Sequence, residues 1–246
     1  MRNNPRIACQ LLLVIALASS PSGAKAAPAL EPGSVGASGP ALKLEDSAEL
    51  SASEIVGRVQ ARYDQTATLS GRFVQEVSLG ATGRVIRSGG TLQFHKPGRM
   101  RWEYEGPDPQ ILIADGETLW IYQPADAQVL RAPLAQAFAS STPVSFLFGV
   151  ARLAEDFTAE RQLPASDGSL RLRLQPKASE EGAEGALVLE VDPVSYDLRA
   201  AVVRDPLGNR TRVALVGLQR NLPLADSLFV FERPPGTDVQ QAPSGR

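Results

Sequence analysis

The residue types that most often do chemistry are sparse in this sequence. His95 is its single histidine and Cys9 its single cysteine, so neither has a like partner for a catalytic triad or a zinc site. No serine has a G-x-S-x-G setting, and no phosphate-binding glycine loop occurs. The sequence therefore predicts no catalytic residue, no metal site, no cofactor and no enzymatic activity.

The charged side chains fall where solvent can reach them. Asp115 and Asp167 precede glycine in tight turns, where an aspartate caps its own backbone. His95, at a strand end beside Lys96, is predicted to be a solvated edge residue. Charges of both signs share one strand face, which predicts a solvated face and not a nucleic-acid stripe. They belong to Arg99, Arg101, Glu103 and Glu105.

The opposite face of that strand is apolar and aromatic. Met100, Trp102 and Tyr104 alternate with the charged residues, and side chains change face at every residue of a strand. The flanking stretch 94–124 adds two turns and two further strands. A sheet with such a face either packs a core or lines a pocket, and the pattern alone leaves both open.

The elements that position this strand are mostly strands. An amphipathic helix is predicted over 48–63, with capping-box spacing between Ser51 and Glu54. About ten or eleven strands in sequential hairpins favour a strongly curled antiparallel sheet. Twelve segments are candidates for these strands, at 69–79, 85–94, 100–104, 111–114, 118–122, 128–131, 157–163, 170–174, 186–191, 198–204, 212–218 and 228–231.

An apolar insert at 132–153 interrupts the strands. It contains Phe146, Leu147 and Phe148 together with two prolines, which suits short helices. Such an insert is either a lid over the apolar face or a helix that caps the core.

The N-terminus indicates export. Arginines, a short apolar run and a small-residue site predict a cleaved signal peptide at 1–26, followed by a disordered Ala/Pro/Gly-rich leader at 27–46. Cys9 precedes the apolar run, so it is not a lipoprotein acylation site. Removing Arg2, Arg6 and Lys25 from 25 basic residues leaves 22 against 27 acidic ones, and this acidity of about −5 speaks against nucleic acid.

The run KPGRMRWEYEGPDPQILIADGETLWIYQP resembles the signature of the LolA family of periplasmic lipoprotein carriers. Three shorter segments fit the same family, namely Phe73-Val-Gln75, Thr142-Pro143 and FVFERPPGTDV. The resemblance implies a mainly β fold, an unclosed antiparallel β-barrel of about eleven strands whose apolar concave face is covered by short helices. It implies a carrier domain at 47–239 and a flexible C-terminal tail at 240–246.

The resemblance also implies a function. A LolA-like carrier takes acylated lipoproteins from an inner-membrane ABC transporter and carries them through the periplasm to the outer-membrane acceptor LolB. We expect a monomer that binds no nucleic acid. The alternatives are a LolA-like carrier of a free lipid and a module that senses lipoproteins.

Site residues follow from the resemblance by position. The acyl-chain cavity is predicted to be lined by Leu92, Phe94, Met100, Trp102, Tyr104, Ile111 and Ile113, with Phe146, Leu147 and Phe148 on the lid. Lys96 stands where the family often has an arginine that latches the lid through backbone carbonyls. Lysine has a flexible stem and no rigid fork, which predicts a weaker or differently arranged latch.

Overall fold

One twelve-stranded sheet dominates the computed structural model, which describes residues 50–106, 108–137, 152–177, 187–205 and 207–242. The helices are α1 (Ala52–Asp64), α2 (Leu134–Ala137) and α3 (Leu153–Asp156). The strands are β1 (Thr68–Ser78), β2 (Val85–His95), β3 (Arg99–Glu105), β4 (Gln110–Asp115), β5 (Thr118–Gln123), β6 (Gln128–Pro133), β7 (Phe157–Gln162), β8 (Leu170–Pro176), β9 (Leu187–Val191), β10 (Leu198–Arg204), β11 (Arg210–Arg220) and β12 (Asp238–Gln241). The predicted signal peptide, the leader and the lid residues Phe146, Leu147 and Phe148 lie outside the described ranges.

The sheet is built from two runs of sequential hairpins. Its strand order is β12-β6-β5-β4-β3-β2-β1-β11-β10-β9-β8-β7. Strands β1 and β11 therefore pair in the middle of the sheet and join the two runs. Every pairing is antiparallel except that of β12, which lies parallel to β6. Strands β7 and β12 form the two edges, and the described strands do not pair across them. The prediction of an unclosed antiparallel sheet is confirmed.

The C-terminal part of the chain differs from the sequence prediction. The segment expected to be a strand at 228–231 is a 3-10 helix at Asp226–Phe229 followed by extended chain. Phe229 is buried there against the outer face of the sheet, so its apolar character reflects packing and not strand pairing. Strand β12, which the sequence analysis did not predict, follows further on.

Helix α1 begins as its sequence predicts. The Ser51 hydroxyl accepts a hydrogen bond from the Glu54 backbone N–H, while the Glu54 carboxylate accepts one from the Ser51 backbone N–H at 2.8 Å. This capping box satisfies two backbone donors that a helix start leaves free. The buried stripe of α1 consists of Ile55, Val56, Val59 and Tyr63. It packs into the same core cluster as the inner face of the sheet, which we call the concave face.

The C-terminal half of α1 is fixed to the sheet by an ionic cluster around Asp197. The Asp197 carboxylate accepts hydrogen bonds from Arg62 Nε at 3.0 Å, from Ser195 Oγ at 2.9 Å and from Arg220. The backbone N–H of Leu198 donates to the Tyr63 hydroxyl at 3.2 Å. Burial opposes ionisation of Asp197, but the hydrogen bonds from the two arginines and the serine hold its pKa below the ordinary value.

We expect Asp197→Asn to lower the free energy of unfolding by about 1–3 kcal/mol at pH 7, because two half-buried arginines lose a charged acceptor. A lowered pKa stabilises the folded state fully above the pKa of the unfolded carboxyl, about 4, and the stabilisation is lost as the pH falls through the folded value. The difference between wild type and variant should therefore shrink below about pH 4 in urea titrations.

Asp108→Asn is the matched control, because this aspartate is exposed in the connection between β3 and β4. It should leave the free energy of unfolding within about 0.5 kcal/mol of wild type. An Asp197→Asn effect that stays constant down to pH 2 would contradict the role given to the ionised carboxylate.

Candidate functional site

The concave face of the sheet is apolar where β2, β3 and β4 lie side by side. Leu92 pairs with Trp102 and Phe94 with Met100 across β2 and β3, and residues directly opposite each other share a face. The structure thus brings the predicted residues Leu92, Phe94, Met100, Trp102 and Tyr104 together on one buried face. Their role in holding acyl chains stays a prediction.

Ile111 and Ile113 do not share that face, so their predicted place in the cavity is wrong. In the β3–β4 register, Ile113 lies opposite Arg101 and Ile111 opposite Glu103, on the outer face. The concave positions of β4 belong to Leu112 and Ala114, both buried in the core cluster. Because β4 is apolar at four consecutive positions, its sequence could not show which face turns inward.

An aromatic cluster forms the centre of the concave face. The Phe73 ring lies 4.4 Å from that of Trp102 and 4.9 Å from that of Tyr104, the second pair edge to face at 77°. Phe94 meets Trp102 at 6.1 Å on the other side. Such pairs stabilise by about 0.5–1.5 kcal/mol beyond the area they bury. Phe73, quoted above only as part of a family motif, is therefore a site residue that the face prediction missed.

Gly90 allows Phe73 of β1 to reach across β2 to β3. It lies between them in register, paired with Phe73 on one side and Tyr104 on the other. A Cβ atom at Gly90 would lie 1.8 Å from the Glu103 carbonyl oxygen and 3.1 Å from Phe73 Cε1. Only a residue without a side chain fits there.

The outer face of the same strands is covered by the chain after β11. Arg99 donates to Asp226 at 2.5 Å, and Arg101 Nη1 donates to the Leu228 carbonyl at 3.3 Å. Phe231 stacks on Trp120 with ring centroids 5.1 Å apart. The charged face of β3 is thus half-buried beneath this segment, whereas the sequence predicted a solvated face.

His95 belongs to this covered outer face. Its ring lies 6.0 Å from the Phe229 ring, and its Nε2 is 3.1 Å from Arg99 Nη2. The side chain is half-buried, so the prediction of a solvated edge residue is wrong. The cause is the C-terminal segment, whose position over β2 and β3 a local sequence pattern does not reveal.

Lys96 contacts helix α1. Its Nζ donates a hydrogen bond to the backbone carbonyl of Tyr63 in the last turn of that helix. Burial lowers the pKa of Lys96, and the nearby Asp64 carboxylate acts in the opposite direction. The predicted lid residues Phe146, Leu147 and Phe148 lie outside the described ranges, so the described contact of Lys96 is to α1.

A metal site and a membrane span are two other features that would indicate a function. Within the described ranges, histidine, cysteine and carboxylate side chains do not gather in a group of three or more that would hold a metal ion. Across the same ranges, each helix is too short or too polar to cross a membrane.

The chain is similar to a known family over most of its length. The family model described as "Outer membrane lipoprotein carrier protein LolA" matches residues 64–232. A protein of Cupriavidus necator named "Outer-membrane lipoprotein carrier protein" is 38% identical over 163 residues, which are 66% of this chain and 75% of that protein. A protein of the same name from Bordetella avium is 34% identical over 203 residues, 81% of this chain and 90% of that protein.

Solved structures of low sequence identity also match. The crystal structure of a LolA superfamily protein from Nitrosomonas europaea aligns with a TM-score of 0.44 at 12% identity, and the alignment covers 74% of this chain and 98% of that one.

Proposed function

The chain belongs to the LolA family of outer-membrane lipoprotein carrier proteins, and from this premise we propose that its concave face holds the acyl chains of lipoproteins in transit. The observation that carries the proposal is the buried aromatic and aliphatic face of β1 to β5, which belongs to one core cluster with the buried stripe of helix α1. The protein acts as a binding protein and chaperone, without a catalytic step.

An apolar face of this kind addresses the main physical cost of lipoprotein transport. Each methylene group of an acyl chain left in water costs about 0.8 kcal/mol, so several long chains cost roughly tens of kcal/mol. The acyl chains would lie on the concave residues Leu92, Phe94, Met100, Trp102 and Tyr104, and Leu112 replaces the predicted isoleucines there. Such a face would keep the acyl chains out of water, as the bilayer does before the cargo is released.

Helix α1 is suited to cover part of the concave surface when no cargo is bound, next to α3 and β7, which it contacts. Its apolar stripe packs into the core cluster, while its C-terminal half is held by polar contacts to Lys96 and Asp197. Cargo must compete with this internal packing, which lowers its net affinity and favours release to a tighter acceptor. We propose that Lys96 latches the cover at the Tyr63 carbonyl, beside any contact with the lid.

The partners and the location follow from this function. We propose that residues 1–26 direct export to the periplasm and that residues 47–239 form the carrier domain. An inner-membrane ABC transporter would load the protein with acylated lipoprotein, and the outer-membrane acceptor LolB would receive the cargo. The carrier would act as a monomer.

Release of cargo from donor membranes tests the proposal directly. Inner-membrane vesicles that contain the transporter and a labelled lipoprotein are incubated with ATP and the purified protein, and the soluble fraction is fractionated by size. We expect the lipoprotein to elute with the carrier, and a cargo variant with serine in place of the acylated cysteine to elute without it. Equal co-elution of both cargo forms would contradict acyl-chain binding.

A carrier of a free lipid can be distinguished from a lipoprotein carrier by mass spectrometry of solvent extracts from the protein purified from its host. Stoichiometric phospholipid or neutral lipid without lipoprotein would favour that alternative.

A further inference from the structure

A small polar cluster interrupts the apolar concave face. Gln75, Tyr104 and Gln110 are only 1%, 7% and 5% exposed, although their side chains lie among aromatic and aliphatic neighbours. Burying an amide is unfavourable unless its donors and acceptors are hydrogen-bonded. The burial of these three polar side chains on this face therefore calls for hydrogen-bond partners that offset its cost.

Register and one direct bond bring the three residues together. Tyr104 and Gln110 lie directly opposite each other on β3 and β4. The Tyr104 hydroxyl donates to Gln75 Oε1 at 2.7 Å across β2, past Gly90. Burial raises the pKa of Tyr104 well above its ordinary value, with the nearby Trp102 indole acting in the opposite direction. The phenol thus stays protonated and keeps its role as donor to Gln75.

Two donors at this cluster have no acceptor, one on Gln110 and one on the neighbouring Trp102. Gln110 Nε2 is fully buried and has no hydrogen-bond partner in the structure as described. Trp102 Nε1 lies near the Tyr104 hydroxyl, but its geometry there does not make a hydrogen bond. Both residues are 5% exposed. Buried donors without partners are rare in folded proteins and mark places where a ligand or water completes the bonding.

We propose that this cluster binds the carbonyl oxygens through which acyl chains join their glycerol or amine, an inference that rests on the function proposed above. Every acyl chain begins with such a carbonyl, which accepts hydrogen bonds and donates none. Gln110 Nε2 and Trp102 Nε1 are buried donors without partners, and a carbonyl oxygen would supply the acceptor that they lack. The cluster would set the depth at which the acyl chains lie on an otherwise uniform apolar face.

A site built to bond a polar group rejects an analogue that lacks it, because its own buried groups are then left unpaired. The probes are two lipopeptides that differ only at the chain linkage: a cysteine peptide carrying an ester-linked dipalmitoylglyceryl group, and the ether-linked dihexadecyl analogue. We expect the wild-type protein to bind the ester probe about tenfold more tightly, as measured by fluorescence anisotropy of labelled peptides.

Gln110→Met removes the donors and keeps an unbranched side chain of similar length. We expect this variant to bind the two probes within about twofold of each other, chiefly by losing affinity for the ester. Gln93→Met is the matched control, because Gln93 also has a buried, unpartnered amide atom within the described chain but lies opposite Arg101 on the outer face. It should keep the tenfold preference.

The infrared band of the ester probe labelled with ¹³C at its carbonyls provides a second measurement that needs no variant. We expect the band to move to lower frequency on binding to the wild-type protein. Equal affinity for ester and ether probes, or a preference that survives Gln110→Met, would overturn the carbonyl site and leave the carrier function standing. If neither probe bound, the carrier function would be overturned as well.

Discussion

Replacing Trp102 with glutamate is expected to abolish acyl-chain uptake and to lower the free energy of unfolding by about 3–5 kcal/mol. Trp102 is 5% exposed and contacts the rings of Phe73 and Phe94, so a shorter charged side chain removes packing and buries a carboxylate. Buried glutamate has a raised pKa, so the destabilisation should increase as the pH rises above about 4. Urea unfolding and the lipoprotein-release assay measure the two effects.

The second tryptophan is the matched control. Trp120 lies opposite Ile113 on the outer face, where it stacks on Phe231 beneath the Arg131 guanidinium. Trp120→Glu should cost less, since Arg131 can pair with the new carboxylate, and it should leave uptake intact. Normal uptake by Trp102→Glu, or loss of uptake by Trp120→Glu alone, would place the acyl chains elsewhere.

Trp102→Phe separates loss of the site from loss of the fold. It keeps an aromatic ring against Phe73 and removes the indole N–H, so it should fold with a loss of about 1–2 kcal/mol and still take up acylated cargo. If it folds normally but takes up none, the indole N–H has a larger role than the ring.

The sequence predicted the elements whose local pattern is unambiguous. Strand β3 has charged residues at every second position, so its alternation identified the inward side of Met100, Trp102 and Tyr104. The capping box of Ser51 and Glu54 likewise marked the start of α1 within a few residues. In both cases the physical cause lies within a few residues of chain, which is the range that a sequence pattern reports.

The predictions that were wrong concern elements whose structure depends on residues distant in the sequence. Strand β4 is apolar on both faces because its outer face is also covered, and only its register with β3 shows that Leu112 and not Ile113 turns inward. The covering segment carries Phe229 at a position that resembles a strand, and β12 has four residues, three of them polar, that pair in parallel with β6. The polar cluster of Gln75 and Gln110 was missed for the same reason.

Alanine at Gly90 is the substitution with the second large effect, and it acts on the backbone of the site. The new Cβ would lie 1.8 Å from the Glu103 carbonyl oxygen, so β2 and β3 must separate or shift by more than 1 Å. We expect a loss of about 3 kcal/mol in the free energy of unfolding, at the upper end of the usual cost of overpacking. Urea unfolding followed by tryptophan fluorescence measures it.

Gly57→Ala is the control, because it makes the same chemical change where there is room. Gly57 is exposed in helix α1, and a Cβ there would have no atom within 4 Å. This substitution should stabilise the protein by about 0.5–1 kcal/mol. A Gly90→Ala protein as stable as wild type would mean that β2 and β3 are not in close contact at this point.

Gly90→Ala should also weaken acyl-chain binding, although Gly90 has no side chain to offer a ligand. Phe73 and Gln75 reach Trp102 and Tyr104 only across the space above Gly90, so one methyl group disturbs the aromatic cluster and the polar cluster together. We therefore expect the variant to lose overall affinity and its preference for ester over ether probes at once. Gln110→Met should lose the preference while retaining affinity for the ether probe, and this contrast tests whether Gly90 joins the two halves of the site.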